Sequence, residues 1–277
     1  MKYILSLFLL ILVSCNQVPL EYRLNYMYTS EERDSMEVRI AKEVNRLFEG
    51  SLLRQEKLDT LIALNDEKEE YFRKKSFKFS RTGRFAQGFP LIDKAVQLDP
   101  LSALYFTSWQ MLFFYRDYER ALEDLHYYDD ISQGVNYVWG ENVNYLKGLA
   151  YKQLGMYDQA VSEFDTCIEH EKSGTSEYVY VYRGIANLRH ECLDDAIIDF
   201  EKAINKYSNC TMAYVYMGEA YLNTGQAEEA MKQLTIAEDL LCKGVKKTHP
   251  YFEVFDEVQL VQVYDLMKRA QLKMELL

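Results

Sequence analysis

The stretch NYLKGLAYKQLGMYDQAVSEFDTC, residues 144–167, decides the fold. In it Gly148 is followed after twelve residues by Ala160, after four more by Phe164, and after three more by Cys167. The pattern returns as Gly184, Ala196, Phe200 and Ala203, and again as Gly218, Ala230, Leu234 and Ala237. Successive glycines stand 36 and 34 residues apart, the period of a helical hairpin repeated in tandem. Twelve residues cover the rest of one helix, a tight turn and the start of a second. The +4 and +3 steps mark one face of that second helix, and the small residue lets two helices approach where a larger side chain would clash. Gly155 and Gly225 stand where each first helix should end, a place that favours a left-handed residue; Glu191-Cys192 fills that turn in the middle copy.

With Tyr151, Tyr157, Tyr180, Tyr214 and Tyr221 at recurring places, these residues make the chain resemble the tetratricopeptide repeat (TPR) family. Two weaker copies lie upstream. Gly83, Phe85, Ile92, Ala95 and Pro100 fit one; Tyr118, Ala121 and Leu125 fit another, with Trp109 in place of the family's glycine. The resemblance implies an all-α fold, a TPR-type α-solenoid of about five helical hairpins over residues 69–244, with repeats near 69–102, 102–134, 141–174, 177–210 and 211–244. Ahead of it, residues 30–68 read as a helical pair, with Met36, Ile40 and Val44 on one apolar stripe and Leu58, Leu61 and Ile62 on the other. Residues 245–277 read as a C-terminal capping helix starting at Pro250, covering the last face of the stack. One conflict stands: EYVYVYR at 177–183 and AYVYM at 213–217 alternate like strands. The 34-residue frame assigns both to first helices, where packing overrides local propensity.

The amino terminus makes a separate statement. Met1-Lys2 precedes an apolar run from Tyr3 to Val13, too short to span a bilayer and suited to a signal peptide over residues 1–14. Its ending, Leu12-Val13-Ser14-Cys15, resembles a bacterial lipobox. That resemblance implies cleavage before Cys15 and lipidation of its sulfur, with residues 15–29 as a tether; several acyl chains together anchor stably. Asn16 after the cysteine, rather than aspartate, points to the outer membrane of the cell envelope, facing the periplasm, with surface exposure left open.

The chain carries a formal charge of −11, and loss of the first fourteen residues removes one lysine to make it −12. Such an acidic balance argues against nucleic acid and against polybasic docking on anionic lipid. Chemistry-bearing constellations are missing. His126, His170, His190 and His249 are scattered, and His190-Glu191-Cys192 sits in a turn without a second ligand pair. Asp129-Asp130 and Asp194-Asp195 fall at turns or helix starts, where carboxylates favour the helix dipole. No catalytic residue, metal site or cofactor is expected. Cys167 holds a small core position, and Cys210 and Cys242 fall near equivalent ends of adjacent repeats, which leaves a bridge between them open.

What remains is the concave surface. In the TPR family the first helices line it, and here the matching places include Tyr145, Leu149, Tyr178, Val181, Ile185, Arg189, Met212, Val215 and Glu219, with Tyr182 alongside. Chaperone-binding members use lysine, asparagine and arginine there to clamp a terminal carboxylate; Tyr145, Leu149, Val181 and Ile185 remove that function. The aromatic, apolar groove suits an extended or helical protein segment. The expectation is a non-catalytic, membrane-anchored scaffold for an envelope protein or peptide. An immunity or inhibitor lipoprotein acting on one toxin or hydrolase, and an aromatic groove for glycans, are the alternatives.

Overall fold

A computed structural model describes residues 19–134 and 136–276. The expected signal peptide and Cys15 lie outside the described residues. The chain divides into two compact units, Met1–Ala103 and Leu104–Leu277.

The first unit contains α1 (Leu20–Met27), α2 (Ser30–Val44), α3 (Leu52–Leu64), α4 (Glu69–Arg81) and α5 (Phe85–Leu98). Helix α1 occupies most of the stretch expected as a tether, burying Leu24. Thr29 caps α2: its side chain accepts from the Glu32 amide while the Glu32 carboxylate accepts from the Thr29 amide at 2.8 Å. The expected apolar stripes of α2 and α3 meet in one cluster, where Ile40, Val44, Leu58 and Leu61 pack with Tyr71. A second cluster joins Phe72, Ala95 and Ala103, so the 69–102 hairpin is formed by α4 and α5. Gly83 turns between them with φ +69°.

Helix α6 (Pro100–Gln110) crosses the unit boundary and widens into a π-helical turn, Met111–Tyr115. The second unit continues with α7 (Tyr118–Ile131), a two-stranded ribbon β1 (Tyr137–Val138) and β2 (Glu141–Asn142), then α8 (Val143–Gln153), α9 (Tyr157–Glu171), α10 (Glu177–Arg189), α11 (Leu193–Lys206), α12 (Thr211–Asn223), α13 (Ala227–Cys242) and α14 (Leu260–Glu275). The pairs α8–α9, α10–α11 and α12–α13 are the three strong repeats. Both strand-like tyrosine runs are helical, in α10 and α12. Phe164, Phe200, Ala160, Ala196 and Ala230 are fully buried. Each such phenylalanine contributes about 1.5–3 kcal/mol by burial. Asp199, buried in α11, accepts from Arg183 through both carboxylate oxygens and from Asn187 at 3.1 Å, so the repeat pays no orphan charge.

Two departures from the sequence reading matter for function. The turn Trp139-Gly140 has φ of 52° and 81°, the paired left-handed geometry of a tight hairpin, and pairs Tyr137 with Asn142. This ribbon was not expected. The final helix starts at Leu260, ten residues later than Pro250, and packs on α13 with Val263, Leu266 and Ala270 buried. Residues 245–259 between α13 and α14 are therefore not helical, and they run elsewhere.

Candidate functional site

Residues 245–258 lie along the first helices of the second unit. Their backbone has few internal partners, because the chain between Gly244 and Leu260 forms no helix or ladder. Side chains of the scaffold supply the missing donors. The Thr211 hydroxyl donates to the Val245 carbonyl at 2.6 Å and Arg116 donates to the Glu253 carbonyl at 2.8 Å. Tyr182 donates to the Phe255 carbonyl at 3.3 Å and Tyr216 to the Asp256 carbonyl at 3.1 Å. Four carbonyls of an irregular segment are thus satisfied by donors from three elements, the turn at Arg116, α10 and α12, which is how a protein holds a peptide whose own ladder is absent.

Aromatic packing fixes the same segment. The Phe113 ring stacks on Phe252 at 4.4 Å and on Phe255 at 5.4 Å between centroids. Arg116 lies over the Phe255 ring at 4.4 Å, so one guanidinium serves a carbonyl and an aromatic face together. The ribbon turn carries Trp139 onto Trp109, stacked at 5.4 Å, and Trp109 meets Phe252 edge-on at 5.4 Å. His249 stacks on Phe252 at 3.7 Å.

Charge completes the arrangement. Lys152, at a groove place of α8, has 4% of its side chain exposed and pairs with Asp256 at 2.5 Å. Burial pulls the Lys152 ammonium down and Asp256 holds it up. Lys247 rests 3.5 Å above the Tyr178 ring and 5.1 Å from that of Tyr182. Burial pushes its ammonium down to about 8, against the opposing pull of Glu141 and Glu177. Glu141 is raised by the same burial, with Lys247 lowering it and Glu171 reinforcing the rise. Its residue surface is open while its carboxyl is hemmed in, the position of a group at a cavity mouth.

Beside Lys247 a cavity of about 460 Å³ is lined by Tyr137, Glu141, Tyr145, Glu171, Glu177 and Tyr178 among others. A second, of about 120 Å³, lies between Trp109, Trp139, His249 and Phe255. The segment seats in the groove without filling it.

The groove residues read from sequence are therefore distributed as follows. Tyr145, Leu149, Val181, Tyr182, Ile185, Met212 and Val215 are buried, Tyr178 and Glu219 are half-buried, and Arg189 is exposed. Arg189 pairs with Glu219 at 2.6 Å. Arg116, Lys247, Phe252, Phe255 and Asp256 were not expected at the site. The capping helix expected from Pro250 takes in the segment's phenylalanines, and only the lysines and Pro250 ahead of them signal an irregular run. His190 contacts Asp158 at 3.1 Å in its turn, and among the described residues no group of His, Cys, Asp and Glu is placed to hold a metal. Asp194 and Asp195 begin α11 as expected, whereas Asp129 ends α7 and is held by Lys147 at 2.6 Å. Cys210 and Cys242 are both free thiols.

The family model for the tetratricopeptide repeat matches residues 141–171, which are β2, α8 and α9. No curated protein matches the sequence. Among solved structures, YrrB, described as a TPR protein with an unusual peptide-binding site, is similar with a TM-score of 0.51 and 17% identity over 66% of this chain and 91% of its own. The APC/C hetero-tetramer Cut9–Hcn1 gives 0.55 and 12% over 91% of this chain and 45% of that one. A tetratricopeptide repeat protein from Parabacteroides merdae gives 0.49 and 14% over 90% and 85%. At these identities the first two speak to architecture alone. The chain has the fold of a TPR-type α-solenoid, and the hairpin at residues 141–171 carries that family's sequence signature.

Proposed function

We propose that this protein is a non-catalytic scaffold that binds a segment of another protein in the groove of its second unit, and that it is held to the bacterial envelope through lipid on Cys15. The observation that carries the binding reading is the set of four side-chain donors, Arg116, Tyr182, Thr211 and Tyr216, aimed at main-chain carbonyls. Carbonyl recognition is independent of side-chain identity, and adjacent aromatic pockets supply selectivity. The anchor rests on Leu12, Ser14 and Cys15 after an apolar run of signal length.

Affinity purification of the anchored protein tests the first part. A discrete envelope partner is recovered, and Tyr178→Ala/Tyr182→Ala loses it while keeping its helical circular dichroism; a partner retained by that folded variant rules out the groove. Palmitate labelling that persists in Cys15→Ser rules out the anchor. Glycan capture is a second reading, drawn from the tyrosines and carboxylates of the 460 Å³ cavity. Saturable binding on a glycan array supports it.

A further inference from the structure

Building on the reading of the groove as a peptide-binding surface, we infer that residues 245–258 are an internal ligand, displaced by a partner segment of the same chemistry. That chemistry is a basic residue, aromatics five and eight positions later and an acid at the ninth, as in Lys247, Phe252, Phe255 and Asp256.

The segment is built to be released. Within it Lys246 pairs with Glu257 at 2.5 Å and His249 stacks on Phe252, so it keeps local contacts of its own, while its carbonyls at 245, 253, 255 and 256 bond the groove and both of its ends are held without it. On one side Val245 NH closes onto the Leu240 carbonyl at the end of α13. On the other, α14 packs on α13 and Lys273 donates to the Leu222 carbonyl at 2.7 Å. Leaving the groove would therefore open a loop between two fixed helices and leave the cap in place. The seat is also imperfect. Lys247 has an aromatic face for its ammonium but, among the described residues, no carboxylate at ion-pair distance, although Glu141 and Glu177 stand nearby. A cavity of about 460 Å³ stays open next to it. A basic side chain of different length or angle would reach those carboxylates, so an external segment has contacts to gain that the resident lacks.

Tethering sets the regulatory consequence. A ligand joined to its own groove acts at an effective concentration on the order of millimolar, so the affinity for an external segment is scaled down by the fraction of time the groove stands empty. Two tryptophans are the chain's full complement, and both report on the site: Trp109 and Trp139 stack on each other, and Trp109 touches Phe252 and His249.

The test titrates a synthetic peptide of residues 245–258 into the full chain and into Phe252→Ala/Phe255→Ala, following tryptophan emission and calorimetric heat. The inference expects the variant to bind the peptide at least about tenfold more tightly than the parent, and a scrambled peptide not to bind. Equal affinities for parent and variant, or no binding by a variant that keeps its helical circular dichroism, overturns it. Should the double variant unfold, Phe252→Ala alone keeps Phe255 and Asp256 seated and is held to a threefold difference in the same direction. The two levels of the reading separate. A groove-dependent partner in the affinity purification with no peptide binding to the folded variant overturns this inference and leaves the scaffold reading standing. Loss of any groove-dependent partner overturns both.

Discussion

Gly148 lies against the ring of Phe164 so closely that a Cβ built on it would stand 2.6 Å from Cε1. The same relation joins Gly184 to Phe200 at 2.7 Å and Gly218 to Leu234 at 2.7 Å. These contacts are the physical content of the glycine-to-aromatic spacing. Each neighbour is a fully buried core side chain with no free space to retreat into. Gly148→Ala should therefore destabilise the protein by about 1–3 kcal/mol through overpacking. Urea unfolding checks this, and Gly148→Ala/Phe164→Leu should recover part of the loss, as the third repeat's smaller partner suggests.

The turn of the middle repeat stores strain that the other two avoid. Glu191 has φ +64°, where Gly155 and Gly225 take +74° and +81°. A side chain in the left-handed region costs about 1–2 kcal/mol. Among the described residues no groove contact is made by the Glu191 side chain, so Glu191→Gly should raise stability, by about 0.5–1 kcal/mol after the added chain entropy of glycine. A thermal melt that rises by a few degrees is the expected result, and a fall would mean that the Glu191 side chain does something else.

Most of the scaffold was legible because it rests on periodicity. Gly148, Ala160 and Phe164 impose contacts that depend only on spacing, and the same holds for Ile40, Val44, Leu58 and Leu61 in the first unit. The site was legible only on one side. Tyr145, Tyr178 and Tyr182 stood at groove places, but what covers them comes from Lys247, Phe252 and Phe255, roughly a hundred residues from Tyr145 in the chain. Local reading put Phe252, Phe255 and Val258 inside the helix expected from Pro250 onward, since an apolar run after proline fits a helix start. The real partners of Phe252 and Phe255, Phe113 and Arg116, are set by tertiary contact, which no window of sequence displays. The Trp139-Gly140 turn was missed for a related reason: a two-residue strand is too short to show alternation.

Among the described residues, Lys152 and Asp256 form the ion pair that joins the segment to the groove. Lys152 is almost wholly covered, so removing only its partner leaves a buried cation. Asp256→Asn should cost about 2–4 kcal/mol, and Lys152→Met/Asp256→Asn should cost less than Asp256→Asn alone, because the double change removes the uncompensated charge. Denaturant unfolding of the three proteins decides it. If the double variant is the least stable, the pair contributes more than its desolvation takes away.

The cysteines make a prediction about accessibility. Cys167 and Cys210 are each 1% exposed, and burial pushes their thiols up to about 12 and about 11. Cys242 is exposed and Cys192 half-buried. A maleimide in mildly alkaline buffer should modify Cys242 first and Cys192 next. Cys167 should react about a thousandfold more slowly than in the unfolded chain. Peptide mapping by mass spectrometry reads each site. A two-dalton mass gain on reduction that maps to Cys210 and Cys242 would contradict the free thiols found here.

Lys247 gives the groove a pH dependence with a definite sign. The groups around it are Glu141, Glu177, Tyr178, Tyr182, Cys210 and, on its own segment, His249. Its ammonium titrates near 8 in the folded protein against an ordinary 10.5, so between those values the unfolded chain holds a proton that the folded chain has shed. Stability contributed by this site therefore rises with pH across that window. Cys210 acts in the opposite sense from its ordinary value of 9.0 upward, since its folded thiol keeps a proton until about 11. The clean interval is thus from about pH 7 to about pH 9. Over it, the wild type should gain about 1 kcal/mol relative to Lys247→Met, in which the titrating group is gone. The measurement is the difference in urea unfolding free energy between the two proteins at several pH values. A difference that stays flat would mean that Lys247 is solvated in the folded chain, and that the segment leaves its seat far more often than its contacts imply.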